Sequence, residues 1–280
     1  MTASLSSRMR RNLADTRARW KNRRFARLAP PIGREWLLFL GVGVIATAVA
    51  ACALDVASVS WASGLPEPIR SLARRTTDFG MSGWELYPAA VAILVMLAGD
   101  WTRVAKLARL AWAEVAALAV FLFVGAGGAG IAVNILKSLF GRGRPWVFDT
   151  VGGFSFDPFE LDAAYQSFPS GHATTCGAVA MFGAIVFPRW RWAIVVVAGL
   201  LASTRVIVGA HYPSDVVAGF LFGAVFTFFL ARTFAGSGYA VVFSDNGCIV
   251  ARTGAIRRLF RQKGGWQSAW RGLAAALRPT

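Results

Sequence analysis

Three short stretches of the chain hold ionisable side chains that suit chemistry on a phosphate group. They are residues 137–145, 169–172 and 205–215. We select eight residues from them, which are three cations, both histidines of the chain, a serine–glycine pair and an aspartate: Lys137, Arg144, Arg205, His172, His211, Ser170, Gly171 and Asp215. Arginine binds phosphate oxygens through two parallel hydrogen bonds, and lysine adds a compact positive charge. The set therefore predicts a site for a phosphoryl group.

The two histidines and Asp215 suit covalent chemistry. One imidazole can attack phosphorus while the other protonates the leaving oxygen. Asp215 follows His211 by four residues and is placed to accept a hydrogen bond from one of its ring nitrogens, as in a catalytic triad. Pro213 lies between them, so an ordinary helical contact is not assured by the spacing. Ser170 and Gly171 precede an apolar stretch, where the N–H groups of a helix start can bind an anion.

Each of these residues also has a plainer interpretation when it is taken alone. A histidine at a helix end is more often a hydrogen-bonded interface residue than a catalyst, and Ser170 suits a simple helix cap. Lys137 and Arg144 suit anchors whose charges reach the lipid headgroups. Arg205 lies inside an apolar stretch, where a charge is costly and points to function. The combination favours the site more strongly than any single residue does.

The elements that must position these residues are membrane helices. The chain has 280 residues, of which 56% are hydrophobic and 16% charged, and its mean hydropathy is +0.51. Soluble domains are about 45–50% apolar and about 25% charged, so the composition argues against a soluble enzyme. We predict an all-α integral membrane protein with six transmembrane helices, near residues 36–54, 85–99, 110–136, 172–188, 191–211 and 214–235. All three stretches then fall at the outer ends of helices.

The distribution of charge predicts the orientation. The formal net charge is +16, from 30 basic and 14 acidic residues. With both termini in the cytoplasm, all but seven of the basic residues are cytoplasmic and nine of the acidic ones lie outside. This arrangement follows the positive-inside rule. We therefore predict a multi-pass protein of a bacterial inner membrane with a periplasmic active site, and no nucleic-acid partner.

Two basic tails flank the predicted membrane domain. We divide the chain into a basic cytoplasmic tail at 1–35, a transmembrane domain at 36–235 and a second basic cytoplasmic tail at 236–280. The first lacks apolar periodicity and is interpreted as disordered or bound to the membrane surface. In the second, Asn246-Gly247 between apolar runs predicts a small β-hairpin. Residues 254–278 mix arginine with apolar residues, which predicts either an amphipathic helix on the membrane or a solvated tail.

Three other patterns are not interpreted as sites. Residues 125–130 match G-x-G-x-x-G, but they lie within a predicted span with no preceding strand, so they favour close helix packing. Residues 49–52 resemble a lipoprotein processing site, but the basic region before them is long for a signal peptide, and Cys52 is interpreted as an ordinary helix residue. We predict no metal or cofactor; four acids of one loop are interpreted as solvated: Asp149, Asp157, Glu160 and Asp162.

Taken together, the three stretches resemble the type 2 phosphatidic acid phosphatase superfamily. Its motifs are Lys-x6-Arg-Pro, Pro-Ser-Gly-His and Ser-Arg-x5-His-x3-Asp. The first two match in full, and the third differs only at Thr204, which keeps the hydroxyl of the usual serine. The resemblance covers about residues 36–235. The superfamily also contains bacterial acid phosphatases and vanadium haloperoxidases; the haloperoxidases are typically soluble, so six spans favour the membrane lipid phosphatases.

The resemblance implies a role for each site residue. His211 corresponds to the nucleophile that forms a phosphohistidine, and Asp215 to the residue that orients it. His172 corresponds to the general acid for the leaving group and then to the base that activates water. The remaining residues correspond to the phosphate cradle: Lys137, Arg144, Ser170, Gly171 and Arg205. Enzymes of this kind are independent of metals.

The resemblance implies a lipid phosphate as the substrate, held with its tails in the bilayer. Undecaprenyl diphosphate is the first candidate, followed by phosphatidic acid, phosphatidylglycerophosphate or a lipid A phosphate. This order rests on family analogy alone. The alternative function is a lipid phosphotransferase, which passes the same phosphoryl group to a lipid or glycan hydroxyl. A third, non-enzymatic reading is a membrane scaffold or lipid-binding protein that keeps the motifs.

Overall fold

The computed structural model describes residues 4–21 and 30–278, without the side chains of residues 19–21 and 35. Within these ranges the chain is mostly helical and contains one two-stranded antiparallel sheet. The elements are α1 (Leu5–Lys21), α2 (Arg34–Ala53), α3 (Asp55–Ser63), α4 (Glu67–Thr77), α5 (Gly83–Ala98), α6 (Lys106–Phe140), α7 (Phe148–Val151), α8 (Gly171–Val186), α9 (Arg191–Ile207), α10 (Pro213–Ser237), β1 (Val241–Phe243), β2 (Ile249–Ala251), α11 (Gly254–Arg261) and α12 (Gly265–Leu277).

Five helical segments of the described chain are long and apolar enough to cross a membrane. They are Trp36–Ala53, Glu67–Ala98, Lys106–Phe140, Pro188–Ile207 and Pro213–Ser237. The 16 residues of α8 are also apolar, but a full span takes about 20 residues. An all-α membrane protein with a small β-hairpin is therefore confirmed, whereas the count of six spans stays a prediction.

Residue contacts divide the chain into two compact units. The first contains Met1–Pro30, Glu85–Phe123 and Leu230–Thr280, and the second contains Pro31–Trp84 and Val124–Phe229. All residues of the predicted site belong to the second unit. The division into two tails and a central domain at residues 35 and 235 stays a prediction.

Small residues allow the helices of the second unit to approach closely. A Cβ atom on Gly223 of α10 would lie 1.9 Å from the carbonyl oxygen of Thr174 on α8, and one on Gly177 would lie 1.9 Å from the carbonyl oxygen of Phe220. Gly128 of α6 likewise lies against Phe226, in keeping with the packing role predicted for residues 125–130. Helices α8 and α9 share a core made mostly of alanine with α10: Ala173, Cys176, Ala180, Ala198, Ala202 and Val216.

Residues 55–84 lie between the first two predicted spans, and the sequence pattern predicted no helix for them. The segment is helical over most of its length, as α3 and α4. Asp55 and Glu67 lie in the first turns of these helices, and Arg74 and Arg75 lie in the last turn of α4. These charges complement the helix dipoles. Neither helix alone has the length of a membrane span, but α4 is the first part of the helical segment Glu67–Ala98.

A sharp turn after α6 folds the next loop back over the helix end. Gly141 has φ +58°, and a Cβ there would lie 1.6 Å from the carbonyl oxygen of Asp157. Only glycine fits both restrictions. Beyond it, Arg142 pairs with Phe156 in an isolated bridge, and the Arg144 N–H donates to the Ala164 carbonyl at 2.8 Å. The turn therefore fixes the backbone of both arginines.

The first unit contains a helix that the sequence pattern did not predict. Residues Leu5–Lys21 form α1, whereas the N-terminal tail was expected to be disordered or surface-bound. Asn12 is buried and donates to the carbonyls of Leu97 and Gly99 at 2.8 and 2.9 Å. Arg11 of the same helix also lies 3.6 Å from the Asp100 carboxylate. Polar side chains make these contacts, which explains why hydrophobic periodicity did not reveal the helix.

The C-terminal hairpin and helices are confirmed and packed within the first unit. Strand β1 pairs with β2 across the Asn-Gly turn. The predicted amphipathic helix is present as α11 and α12, separated at Gly264 with φ +71°. Leu259 and Ala269 pack on Ala111 of α6, and the Glu114 carboxylate accepts hydrogen bonds from the first N–H groups of α11. These contacts exclude the alternative of a solvated tail.

Candidate active site

All eight predicted site residues lie at the ends of four helices in the second unit. Lys137 is in the last turn of α6 and Arg144 follows that helix. Ser170 caps α8, and Gly171 and His172 begin it. Arg205 is in the last turn of α9, His211 lies between α9 and α10, and Asp215 is in the first turn of α10. Residues far apart in the chain are thus brought together at helix termini.

A hydrogen bond within the first turn of α10 holds the Asp215 side chain. Tyr212 occupies the cap position of α10, and its N–H donates to Asp215 Oδ2 at 2.9 Å. This bond is the backward half of a capping box, and Pro213 at the first helical position suits it because a proline has no N–H to satisfy. The sequence left the effect of Pro213 open. The structure places His211 Nδ1 3.6 Å from the same carboxylate oxygen, with both side chains buried.

Burial sets the protonation state of His211. Loss of water lowers the pKa of its imidazole to about 4, against the opposing effect of the Asp215 carboxylate, and the positive charges of Arg144 and Lys137 lower it further. The ring is therefore neutral at pH 7. A neutral imidazole retains the lone pair that a nucleophile needs.

Three cations surround the beginning of α8. Lys137 lies against Gly171, where a Cβ atom would be 3.3 Å from its Nζ. It also interacts electrostatically with Arg144, Arg205 and Asp215. Within the described residues, the Nε groups of Arg144 and Arg205 have no hydrogen-bond partner. Three positive charges lie close together with too few carboxylates to balance them. This arrangement favours the binding of an anion.

The two arginines of this group have contacts that orient them. The Arg144 guanidinium lies over the Trp146 ring, 4.7 Å from its centroid. Arg205 Nη1 donates to Thr77 Oγ1 at 3.2 Å. The Thr204 hydroxyl, which replaces a serine of the motif, donates to the Leu201 carbonyl at 2.6 Å. The hydroxyl of Thr204 therefore makes a hydrogen bond within α9.

His172 belongs to the same cluster. Its ring packs against Gly80, where a Cβ atom would lie 3.2 Å from His172 Cδ2. Lys137, Arg144, Arg205 and His211 all interact with it electrostatically. Ser170, which precedes it, is fully buried, and its Oγ accepts from the Ala173 N–H at 3.4 Å. Both predicted roles of Ser170, helix cap and anion contact, remain compatible, because a hydroxyl that accepts this bond can still donate its proton.

Arg142 and Asp55 were missed as site residues by the sequence analysis. Arg142 was counted only as a positive charge, although it is 2% exposed and bridges two carboxylates. Its Nη1 lies 2.6 Å from Asp215 Oδ1, and its Nη2 lies 2.7 Å from Asp55 Oδ2. The available signal was Asp55 itself, a carboxylate directly after an apolar span, because such a charge requires a partner.

A cavity lies beside His211. Its volume is about 240 Å³, and its walls include Ser58, Arg70, Trp146, Gly209 and His211. Arg70 is half-buried, and its Nε has no hydrogen-bond partner in the part of the chain that the structure describes. The neutral imidazole of His211 and the Arg70 side chain, whose Nε–H is available to donate, therefore line the same cavity.

The four loop acids lie largely in water. Asp149, Asp157 and Asp162 are exposed, and Glu160 is half-buried. Across residues 4–21 and 30–278, there is no group of three or more His, Cys, Asp or Glu side chains that could hold a metal ion.

Comparison with known proteins identifies the family. The model of the PAP2 superfamily matches residues 116–239. A lipid A 1-phosphatase of Rhizobium johnstonii is 40% identical over 71% of this chain and 80% of its own length. A lipid A 1-phosphatase of Rhizobium etli is 36% identical over 80% of this chain and 94% of its own length. The undecaprenyl-diphosphatase BcrC of Bacillus subtilis is 35% identical over 40% of this chain and 56% of its own length.

The chain belongs to the PAP2 superfamily, as the resemblance predicted. It is a multi-pass membrane protein and a phosphatase, a hydrolase of phosphate esters.

Proposed function

We propose that the protein removes a phosphoryl group from a lipid phosphate at the periplasmic face of a bacterial inner membrane, through a phosphohistidine on His211. The two relatives that align over most of their length are both named lipid A 1-phosphatases. Their names favour the 1-phosphate of lipid A as the substrate. We therefore propose lipid A before undecaprenyl diphosphate, the first candidate on family analogy, since the undecaprenyl-diphosphatase BcrC aligns over only 56% of its own length.

The observation that carries the proposal is the neutral, buried His211 beside a group of cations. Its Nδ1 lies toward Asp215, so Nε2 is the nitrogen left to approach phosphorus. Lys137 and Arg144 act electrostatically on the same ring. A nucleophile without charge can enter this positive environment, and the cations then attract the phosphate oxygens.

The first chemical step forms a bond from His211 Nε2 to phosphorus and breaks the bond from phosphorus to the lipid oxygen. His172 is proposed to enter this step protonated, with the negative charge of the bound phosphate offsetting the nearby cations, and it gives that proton to the leaving oxygen. Asp215 Oδ2, which lies 3.6 Å from His211 Nδ1, is proposed to accept a hydrogen bond from Nδ1–H as the ring becomes positive and to stabilise that charge. In the second step, His172 takes a proton from water, the water oxygen attacks phosphorus, and the nitrogen–phosphorus bond breaks to release inorganic phosphate and neutral His211.

The remaining site residues are proposed to hold the phosphoryl oxygens. Lys137, Arg144 and Arg205 supply positive charge, and Arg144 and Arg205 have unused donors. Ser170 and Gly171 add a hydroxyl and the N–H groups of a helix start. Protein cations in these positions supply the charge stabilisation that a metal ion provides in other phosphatases, so we propose catalysis without a metal.

The cavity beside His211 is proposed to receive the headgroup attached to the leaving oxygen. Its volume of about 240 Å³ suits a sugar ring, and Arg70 in its wall can donate to hydroxyl or carboxylate oxygens. The Trp146 ring adds an apolar wall, which suits stacking against a sugar face. A headgroup in this cavity lies next to the cations while the acyl chains stay in the bilayer.

Release of inorganic phosphate tests the proposal. The purified full-length protein in detergent is given lipid A, undecaprenyl diphosphate, phosphatidic acid and phosphatidylglycerophosphate, each with a chelator present. We expect release from lipid A, with loss of its 1-phosphate, and a decrease on the order of 10⁴-fold or more in His211→Ala. Thr204→Ser, which restores the motif's serine, is the matched control and should keep the activity.

Three outcomes would contradict parts of the proposal. Phosphate release that persists in His211→Ala contradicts the phosphohistidine. Loss of activity on chelation contradicts independence from metals. Label that moves from the substrate to an added lipid or glycan acceptor, without free phosphate, replaces hydrolysis by phosphotransfer.

A further inference from the structure

The structure assigns Arg142 and Asp55 as positioning residues, which hold the Asp215 carboxylate so that one of its oxygens is directed to His211. The inference rests on the proposed function, since it concerns the same reaction. It differs from that proposal in naming two residues that the three motifs do not specify: Arg142 occupies a variable position of the first motif, and Asp55 lies outside all three. Neither residue touches the reacting atoms; both act through Asp215.

The two oxygens of Asp215 have separate partners. Oδ1 accepts from Arg142 Nη1 at 2.6 Å. Oδ2 accepts from the Ser167 hydroxyl at 2.5 Å and from the Tyr212 N–H at 2.9 Å, and His211 Nδ1 lies 3.6 Å from it. A carboxylate held at both oxygens cannot rotate about its side-chain torsion without breaking these bonds. Arg142 thus leaves Oδ2 as the oxygen available to the imidazole.

Arg142 is itself fixed from the other side. Its Nη2 donates to Asp55 Oδ2 at 2.7 Å and to the Gly153 carbonyl at 2.8 Å. The guanidinium also lies 4.3 Å from the centroid of the Tyr212 ring. A planar guanidinium with donors on two edges can join two carboxylates in one plane, which a lysine ammonium cannot do.

Asp55 connects this arrangement to the start of α10. Its Oδ1 accepts from the Ser214 N–H at 3.0 Å, and its Oδ2 accepts from the Ser214 hydroxyl at 2.5 Å. The Ser214 hydroxyl oxygen in turn accepts from Arg142 Nη1 at 2.8 Å. Asp55 therefore holds both the arginine and the helix turn that carries Asp215.

The charge of this cluster indicates a catalytic use rather than a purely structural one. Asp55 and Asp215 are fully buried and contribute two negative charges, whereas Arg142 contributes one positive charge. Burying ions is costly, and apolar side chains often stabilise a fold equally well. The cluster retains one negative charge, and His211 beside it becomes cationic when it attacks phosphorus. Arg142 keeps the Asp215 carboxylate ionised and oriented toward His211 while the imidazole attacks phosphorus.

Asp55→Asn is the principal test, because asparagine preserves the shape and one oxygen acceptor. We expect kcat for the phosphate substrate to fall about tenfold, with KM within about twofold. Ser214→Ala is the milder second variant, because it removes one hydroxyl and leaves every charge in place. We expect a smaller decrease in kcat for it. Melting temperatures and gel-filtration profiles identify any variant that has merely lost its fold.

A double-mutant cycle separates positioning from general stability. In an Asp215→Asn background, single-turnover rates should show no further loss from Asp55→Asn, because the oriented carboxylate is already absent. An equal loss in both backgrounds overturns the inference, and so does a folded Asp55→Asn protein with unchanged kcat. Persistent activity of His211→Ala, by contrast, overturns the proposed function itself, so the two failures are distinguishable.

Discussion

Gly223 lies directly on the backbone of Thr174. A Cβ atom at position 223 would be 1.9 Å from the Thr174 carbonyl oxygen and 2.9 Å from the Ala178 nitrogen. This contact joins α10, which carries Asp215, to α8, which carries His172. Because glycine has no side chain, position 223 allows α8 and α10 to lie this close together. The distance between these helices in turn affects the relative positions of His172 and Asp215.

Replacing Gly223 by alanine should destabilise the protein and reduce its activity together. Forcing an extra carbon into a packed interface costs about 1–3 kcal/mol, and the required shift separates α8 from α10. Thermal unfolding in detergent and phosphate release measure the two effects. Gly199→Ala is the matched control, because nothing lies within 4 Å of a Cβ at that position in α9. Equal behaviour of the two variants contradicts the packing argument.

The pKa of His211 should be observable directly. Burial lowers it to about 4, so the ring should stay neutral as the pH falls from 8 to about 5 and become protonated only below that. The chain has two histidines, so His172→Gln leaves one imidazole to follow by NMR with isotope-labelled histidine. A midpoint near the ordinary value of about 6.5 contradicts a buried nucleophile. The same variant unfolded in denaturant supplies the reference.

Arg70 should affect binding of the headgroup more than the chemical step. Arg70→Ala should raise KM about tenfold for lipid A, as expected for loss of a hydrogen bond from a charged group, with kcat within about twofold. Phosphatidic acid lacks a headgroup beyond the phosphate and should show no such change. Arg75→Ala is the control, since Arg75 is an exposed residue of the same helix. An equal KM change for both lipids argues against the headgroup cavity.

The proposed orientation can be measured with a cysteine-free variant. A new cysteine at position 149, from Asp149→Cys, should react in intact cells with a maleimide that does not cross the inner membrane. Arg261→Cys should react only after the membrane is opened, because the C-terminal segment is proposed to be cytoplasmic. Both native side chains are exposed. The reverse pattern places the site in the cytoplasm and contradicts the charge argument.

The sequence predicts the membrane helices because apolar length is a local property. The spans expected at 36–54, 110–136 and 214–235 correspond to Trp36–Ala53, Lys106–Phe140 and Pro213–Ser237. The signal for the β-hairpin is also local, since an Asn-Gly pair specifies the turn between its strands. The eight predicted site residues lie at helix termini, and their roles stay a prediction.

The features that the sequence did not predict depend on contacts between distant residues. Arg142 and Asp55 are 87 positions apart, and no local pattern indicates that they meet. The helix α1 depends on Asn12 and the carbonyls at the end of α5, which lie 85 and 87 positions away. Helices α3 and α4 were missed because they are short and mix apolar with polar residues. The contacts of Arg142 and of Asn12 form only in the folded chain.

The most direct test of the central claim is detection of a phosphoryl group on His211 itself. The protein is mixed with phosphate-labelled lipid A, quenched in alkali, in which phosphohistidine is stable, and analysed by mass spectrometry of its peptides. We predict a phosphoryl adduct on the peptide containing His211 that is lost on acid treatment. In a His172→Gln variant, which cannot activate water, the adduct should persist longer once the labelled substrate is removed. An adduct on another residue, or turnover with no adduct at His211 under either condition, would contradict the account.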